Sequence, residues 1–407
     1  MAGGALLQLV AQGAQDLYLT GNPQVTFFKS MYRRHTNFAM EAIALTFNGS
    51  IDFGRKLSAT VSRNGDLIHK TYVEITLPTL TGTGTQAWTR NIGHVIINEV
   101  SFDVGGQTID KHYGQWLQIW SQLTLSAEHE AGYNVLIGND SVMTTEAASI
   151  PQRVITVPLQ FQFCRNVGSA LPLIALQYHE VKINVTFRNF SDCYISSSGT
   201  VTTPSLVDSQ IWVDYIYLDT DERRSFAQVA HEYLIEQLQF TGVESYSQTS
   251  VSQRLNFNHP TKFLAWVAQP VANTQAVSAA GGLANRWTDF TDNALGPKPY
   301  NGADPLSTAK LVLNGHDRFS TRNADYFNLI QPLQSFPRCP DVGIYVYSFA
   351  IKPVEMQPSG TCNMSRIDNA TWNFTMTSSN QVMVYVYAVN YNIFRVVSGM
   401  GGLAYSS

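Results

Sequence analysis

Short segments in which apolar and polar residues alternate strictly constrain this chain more than any other feature. Residues 71–77 (TYVEITL), 181–187 (VKINVTF) and 211–217 (IWVDYIY) read this way. Residues 344–349 and 382–391 continue the style in the later half. Period-two alternation places one face of a strand in a core and the other towards solvent or a partner. Between the strands run long polar segments, residues 188–210, 270–305 and 356–373. Strands joined by long excursions fit a Greek-key or jelly-roll sandwich better than a meander of hairpins. No regular βαβ alternation occurs, which disfavours a nucleotide-binding parallel sheet.

The two halves echo each other. Residues 102–109 (FDVGGQTI) read as strand, glycine turn, strand, and are followed by Tyr113, Trp116 and Leu117. Residues 311–319 (LVLNGHDRF) follow the same grammar and lead into Tyr326 and Phe327. Each half closes on an aromatic-rich alternating strand, at 211–218 and 382–394. The expected fold is therefore all-β, with two similar sandwiches in tandem. One clear helix is expected between them. Asp219 can cap it, Glu222 completes a capping box, and Phe226, Val229, Ala230 and Tyr233 supply an apolar stripe. Residues 1–24 read as an arm with Leu6, Leu9, Val10 and Leu17 at helical spacing, weakened by glycines and ended by the turn at 20–23. The expected division is an arm at 1–24, a first sandwich at 25–218, a helical connector at 219–232 and a second sandwich with a C-terminal tail at 233–407.

Composition narrows the function. Charged residues make up 14% of the 407, against roughly 25% in an ordinary soluble domain. A long chain with so few charges is expected to cover much of its surface with partners. The formal net charge of -4 provides no basic field for nucleic acid, so no specific nucleic-acid partner is expected. The longest apolar run, about 382–389, is far shorter than the roughly 18 residues of a spanning helix. The N-terminus lacks the basic region of a secretory signal, and Ala2 stands where N-myristoylation needs glycine. Cys164, Cys193, Cys339 and Cys362 show no metal or redox spacing and are expected to be free thiols. Sequons occur at Asn48, Asn139, Asn184, Asn189, Asn363, Asn369 and Asn373; without a signal peptide most are expected to be unmodified.

No phosphate-binding loop, nucleophile elbow, zinc-protease pair or C-x-x-C motif is present. His179-Glu180 would be an acid–base pair, but neighbours on a strand point to opposite faces. His231-Glu232 falls near the expected helix end and reads as surface. Asp219, Asp221 and Glu222 would suit a hard cation, yet Arg223 and Arg224 already supply counter-charge and helix capping explains the cluster. No catalytic, metal or cofactor residues are expected. The remaining candidate is the segment 27–35 (FFKSMYRRH), in which aromatics interleave with Lys29, Arg33, Arg34 and His35. Such a segment stacks on bases or sits on anionic membranes. Equally, Phe27, Met31 and Arg34 are spaced to dock an amphipathic segment on the first sandwich.

Longer blocks carry a resemblance. Residues 13–34, 105–111 (GGQTIDK), 170–181 (ALPLIALQYHEV), 231–238 (HEYLIEQL) and 257–260 (FNHP) resemble the major capsid proteins of nucleocytoplasmic large DNA viruses. The resemblance continues through 313–315 (LNG), 357–370 and 398–405 (SGMGGLAY). Residues 78–90, 188–210, 270–305 and 375–381 resemble the family poorly, and 165–168 (RNVG) stand where the family often has Pro-Gly. The resemblance implies a double jelly roll of two eight-stranded sandwiches and a homotrimer forming a pseudo-hexagonal capsomer that tiles an icosahedral shell. It implies no catalytic centre and no cofactor. It also implies partners: neighbouring capsomers and minor capsid and penton proteins. From their own charge and spacing, the arm and Lys29, Arg33, Arg34 and His35 are expected to face inward as assembly residues, towards the layer beneath or an inner viral membrane. The expected location is the virion, after assembly in host cytoplasm. Poorly matching loops are expected to face outward. The rival from another class is a carbohydrate-binding or carbohydrate-active β-sandwich, whose aromatics would line a sugar groove and whose hydrolytic members need a carboxylate pair at a cleft. A trimer in solution favours the coat protein; a glycan-binding monomer favours the rival.

Overall fold

The computed structural model describes residues 3–196, 199–275, 285–292 and 300–405. Parts of the expected excursions (197–198, 276–284, 293–299) and the ends of the expected arm and tail (1–2, including Ala2, and 406–407) lie outside the described residues. Two units emerge, Met1–Asn37 and Phe38–Ser407.

Sixteen strands of the larger unit form two sandwiches. In chain order they are β1 Phe38–Thr46, β2 Lys56–Thr60, β3 Leu67–Leu77, β4 Ile97–Val104, β5 Gln107–Tyr113, β6 Arg153–Pro158, β7 Val181–Phe187 and β8 Asp208–Leu218. There follow β9 His231–Tyr246, β10 Ser250–Leu255, β11 Pro260–Pro270, β12 Leu306–Leu313, β13 His316–Asp317, β14 Ile344–Ser348, β15 Ala370–Met376 and β16 Val382–Val397. The first eight pair antiparallel in the orders β1-β8-β3-β6 and β2-β7-β4-β5. The second eight pair in the orders β9-β16-β11-β14 and β10-β15-β12-β13. Adding eight to each label of the first sandwich yields the second. That order, repeated, is two jelly rolls.

The alternating segments bury as their pattern demands. Along β7, Val181, Ile183, Val185 and Phe187 are buried while the residues between them are half-exposed. Along β3, Val73, Ile75 and Leu77 enter the same core. The strand β11 obeys a different rule. Its central run Phe263-Leu264-Ala265-Trp266-Val267-Ala268 is apolar throughout and wholly buried. Leu264, Trp266 and Ala268 face the core of the second sandwich. Phe263, Ala265 and Val267 face the other way, onto the helix Gly114–Thr124 of the first sandwich. Strands β14 and β16 share this two-sided burial. The partner face that alternation left open is, for them, the neighbouring sandwich of the same chain.

Several expectations change. The helix Gly114–Thr124 stands beside the expected one; Trp116, Ile119, Trp120 and Leu123 give it a buried stripe at the spacing of an amphipathic helix. The connector helix spans Thr220–Gln228, so Val229, Ala230 and Tyr233 leave the helix, and β9 begins at His231 rather than after 232. No capping box forms. Asp219 caps through the Thr220 N–H, 2.7 Å away, and the Glu222 Oε2 atom is buried without a partner. The first strand starts at Phe38, so residues 25–37 add no strand to the first sandwich. The excursions are structured. Leu80–Trp88, Ala147–Ile150 and Tyr194–Ser196 form a three-stranded sheet, and Asn285, Arg286 and Asp289 are buried rather than facing outward.

Within the smaller unit, Gly4–Val10 and Leu17–Thr20 are helical. Gly21 ends the second helix, and Asn22 turns the chain with φ 51° before Pro23. Residues 23–37 form neither helix nor strand, so the helical spacing of Phe27, Met31 and Arg34 is not realised.

Candidate functional site

Lys29, Arg33, Arg34 and His35 all lie in this irregular segment and are exposed. The His35 Nδ1 atom is 2.8 Å from the Thr36 carbonyl oxygen. Phe27, Phe28, Met31 and Tyr32 between them are more than four-fifths exposed. The segment gathers cations and bare aromatics along one stretch of chain.

The acid–base candidates are dispersed. His179 and Glu180 precede β7 rather than lying on it. The His179 Nδ1 atom is 2.9 Å from the Gly401 carbonyl oxygen, while Glu180 pairs with Lys182 at 3.4 Å. His231 Nε2 meets the Phe226 carbonyl at 2.8 Å, and Glu232 pairs with Arg395 across the β9–β16 ladder. Both pairs thus act in packing and strand pairing. Among the described residues no cluster of His, Cys, Asp or Glu is placed to hold a metal ion. All four cysteines are free, and burial pushes the Cys164 thiol up to about 12, which keeps it unreactive.

The structure instead concentrates its buried polar chemistry where the two sandwiches meet. The helix Gly114–Thr124 follows β5 directly and lays Trp116 against Tyr387 and Phe263, with ring centroids 5.4 and 6.3 Å away. Beside this apolar seam, the Glu236 carboxylate accepts from Lys262 Nζ and, at 2.9 Å, from Arg165 Nη1. Lys262 and Glu236 are nearly inaccessible to solvent. Burial lowers the Lys262 pKa, and the Glu236 charge opposes that shift. Arg165 also stacks its guanidinium 4.6 Å above the Trp120 ring. A second seam is built by residues 285–292. Asn285 Nδ2 donates to the Tyr194 carbonyl at 2.8 Å, Trp287 Nε1 donates to the Asp192 carbonyl at 3.0 Å, and Arg188 lies 4.0 Å over the Trp287 ring. Gln269 bridges the seams, accepting from Gln115 Nε2 at 2.7 Å and donating to the Trp287 carbonyl at 2.9 Å. A third tie comes from the chain end. The strand Met400–Leu403 pairs with the end of β16, and the Gly399 carbonyl accepts from the Tyr178 N–H at 2.9 Å.

These groups are paired with one another across the junction. Their chemistry is that of locking two sandwiches at a fixed angle. The junction escapes a sequence reading because its cross-sandwich partners lie at least 71 residues apart along the chain. Two local signals were available: the spacing of Trp116, Ile119, Trp120 and Leu123, and the continuous apolar run 263–268.

Comparison with known proteins agrees with this architecture. Residues 26–219 match the family described as major capsid protein N-terminus, and residues 222–402 match the large eukaryotic DNA virus major capsid protein. The chain is 49% identical over 431 residues to the major capsid protein of Pyramimonas orientalis virus. It is 45% identical over 521 residues to that of Phaeocystis pouchetii virus. Each of these matches covers 100% of both chains. Among solved structures, the crystal structure of PBCV-1 VP54 matches at a TM-score of 0.79 and 40% identity, covering 94% of this chain and 100% of that one. The two family matches meet at the connector helix, as the two sandwiches do, and the relatives are structural proteins without a catalytic role. The chain therefore belongs to the major capsid proteins of large eukaryotic DNA viruses, and is a structural component of the virion rather than an enzyme.

Proposed function

We propose that the chain forms a homotrimeric, pseudo-hexagonal capsomer and that such capsomers tile an icosahedral shell. The observation that carries this reading is the twofold use of one strand order within a single chain. Three chains bring six equivalent sandwiches to one threefold axis, and a closed ring of like contacts is the natural symmetry for such a unit. The low charge content, 14%, suits lateral faces that identical copies cover. In this reading the arm, expected over residues 1–24, extends to Asn37, the first jelly roll runs from Phe38 to Leu218, the connector is the helix Thr220–Gln228, and the second jelly roll starts at His231. Neighbouring capsomers, minor capsid proteins and penton proteins are the partners, and assembly takes place in host cytoplasm.

The arm is assigned to the inward face of the capsomer. Its bare apolar side chains gain order only by packing on something else. Lys29, Arg33 and Arg34, with His35 beside them, give this stretch positive charge suited to an anionic inner membrane or to an acidic minor protein. Sedimentation of the purified chain tests the trimer: a species of three chain masses is expected, and a monomer at micromolar concentration contradicts it. Deleting residues 1–20 is expected to leave that trimer intact while impairing shell formation or attachment to the layer beneath. Loss of the trimer, or normal particles, gives the arm another role.

A further inference from the structure

At the end of the second sandwich where β9 and β11 begin, a groove of about 540 Å³ opens among Leu234, His259, Pro260, Arg366, Tyr391 and Ile393. Four of the blocks that carry the family resemblance supply much of its lining: 231–238, 257–260, 357–370 and 398–405. Nothing in the capsomer reading uses it.

Two polar atoms of the lining are buried without hydrogen-bond partners, His259 Nε2 and the Tyr391 hydroxyl. Both residues are at least nine-tenths buried. Native proteins rarely leave such atoms orphaned, because each costs about 1–3 kcal/mol. His259 is also held at φ 65°, a conformation uncommon outside glycine. Its N–H donates to Ser365 Oγ at 2.8 Å, and its carbonyl accepts from the Met364 N–H at 3.0 Å, so the strained backbone is clamped in place. Burial lowers the His259 pKa, which leaves its imidazole neutral at pH 7, and pushes the Tyr391 phenol up to about 12. The phenol is therefore a donor, and in its Nδ1–H tautomer the neutral imidazole offers Nε2 as an acceptor. The walls are mixed: Leu234, which is 44% exposed, Pro260 and Ile393 are apolar, and Asn363, Ser365 and Asn392 are polar. At the rim Arg366 is exposed and has no ion-pair partner among the described residues.

A hydrocarbon occupant would cover the walls but leave both buried polar atoms orphaned. A peptide amide unit supplies a carbonyl for Tyr391 and an N–H for His259, and a carboxylate answers Arg366. We propose that this groove binds a segment of a partner protein in which an apolar side chain is followed by a carboxylate, through Tyr391, His259 and Arg366. The proposal rests on the capsid reading only in expecting protein partners at the ends of the subunit.

The test is saturation-transfer NMR on the purified, assembled protein with two probes, acetyl-Leu-Phe-Asp-amide and its Asn counterpart. The Asp peptide is expected to bind saturably, about tenfold more tightly than the Asn peptide. Arg366→Ala should remove that difference by weakening the Asp peptide alone, and Leu234→Glu should abolish binding of both. Absence of saturable binding, or equal binding of the Asp peptide to wild type and Arg366→Ala, overturns the proposal. So does tighter, Arg366-dependent binding of dodecanoate, which assigns the groove to a lipid. Binding to a monomer but not to the trimer assigns it to a second copy and overturns it as well. Sedimentation of each variant separates the two readings. Trimers that ignore the peptide sink the groove alone, whereas a wild type that never trimerises sinks the capsomer whatever the peptide does.

Discussion

Two cations, Lys262 and Arg165, converge on the single carboxylate of Glu236 in the seam between the sandwiches. Removing the carboxylate leaves Lys262 buried and uncompensated, which is where buried ion pairs exact their largest penalty. Glu236→Ala is therefore expected to destabilise the protein by about 3–5 kcal/mol in denaturant unfolding; a loss below 1 kcal/mol would show that water reaches the pair. His94 makes a second residue-scale case. It is fully buried, with Nδ1 2.7 Å from Gln118 Oε1 and Nε2 2.7 Å from the Tyr133 hydroxyl oxygen. Burial lowers its pKa from 6.5 to about 4, and the Gln118 hydrogen bond opposes that shift only in part. The folded value lies below the unfolded one, so between those pH values the unfolded chain binds a proton that the folded chain refuses. Its contribution is complete above pH 6.5, falls by about 3 kcal/mol as pH drops to about 4, and then levels off. Unfolding of His94→Gln followed over the same pH range should show that slope reduced; an unchanged slope assigns acid sensitivity to other groups.

At the scale of elements, the two glycine turns noticed in the sequence are the same turn. Gly105 and Gly106 join β4 to β5 with φ 59° and 84°, and Asn314 and Gly315 join β12 to β13 with φ 48° and 82°. Positive φ at both central residues marks the tight hairpin turn that matches the twist of the flanking strands. Here the sequence was legible because the signal is local. The two glycines of the first turn differ in what surrounds them. A Cβ on Gly106 meets nothing within 4 Å, whereas one on Gly105 falls 2.4 Å from His179 Nδ1. Gly106→Ala should cost about 1 kcal/mol, from backbone strain alone. Gly105→Ala should cost at least about twice that, because the His179 contact with the C-terminal strand must also shift. Equal costs in parallel urea titrations would mean that the ring moves freely. The misread elements failed for identifiable reasons. Asp219 and Glu222 have capping-box spacing, but Asp219 bonds the nearest N–H instead. Residues 285–292 look polar and loop-like, yet Asn285, Arg286 and Asp289 are buried because their hydrogen bonds are made to one another and to the first sandwich. The partners in the first sandwich, about 90 residues away, lie too far along the chain for any local pattern to display.

For the whole molecule, the seam turns two sandwiches into one building block. Trp116, Trp120, Phe263 and Tyr387 are buried between them, and each large apolar side chain so buried contributes about 1.5–3 kcal/mol. A rigid pair of sandwiches repeated by threefold symmetry makes a six-lobed unit, while a loosely hinged pair would not hold a lattice angle. The jelly-roll class was legible from alternation and excursions, and the capsid family from the blocks that resemble it. The seam was legible only in part, since the continuous apolar run 263–268 announces two-sided burial without saying what covers the second face. The central claim is that three copies of this paired unit close around one axis. Single-particle cryo-electron microscopy of the purified chain tests it most directly. Particles of three chains with six sandwiches in a ring and threefold symmetry are expected; monomers, or a twofold dimer, at micromolar concentration would contradict the trimer.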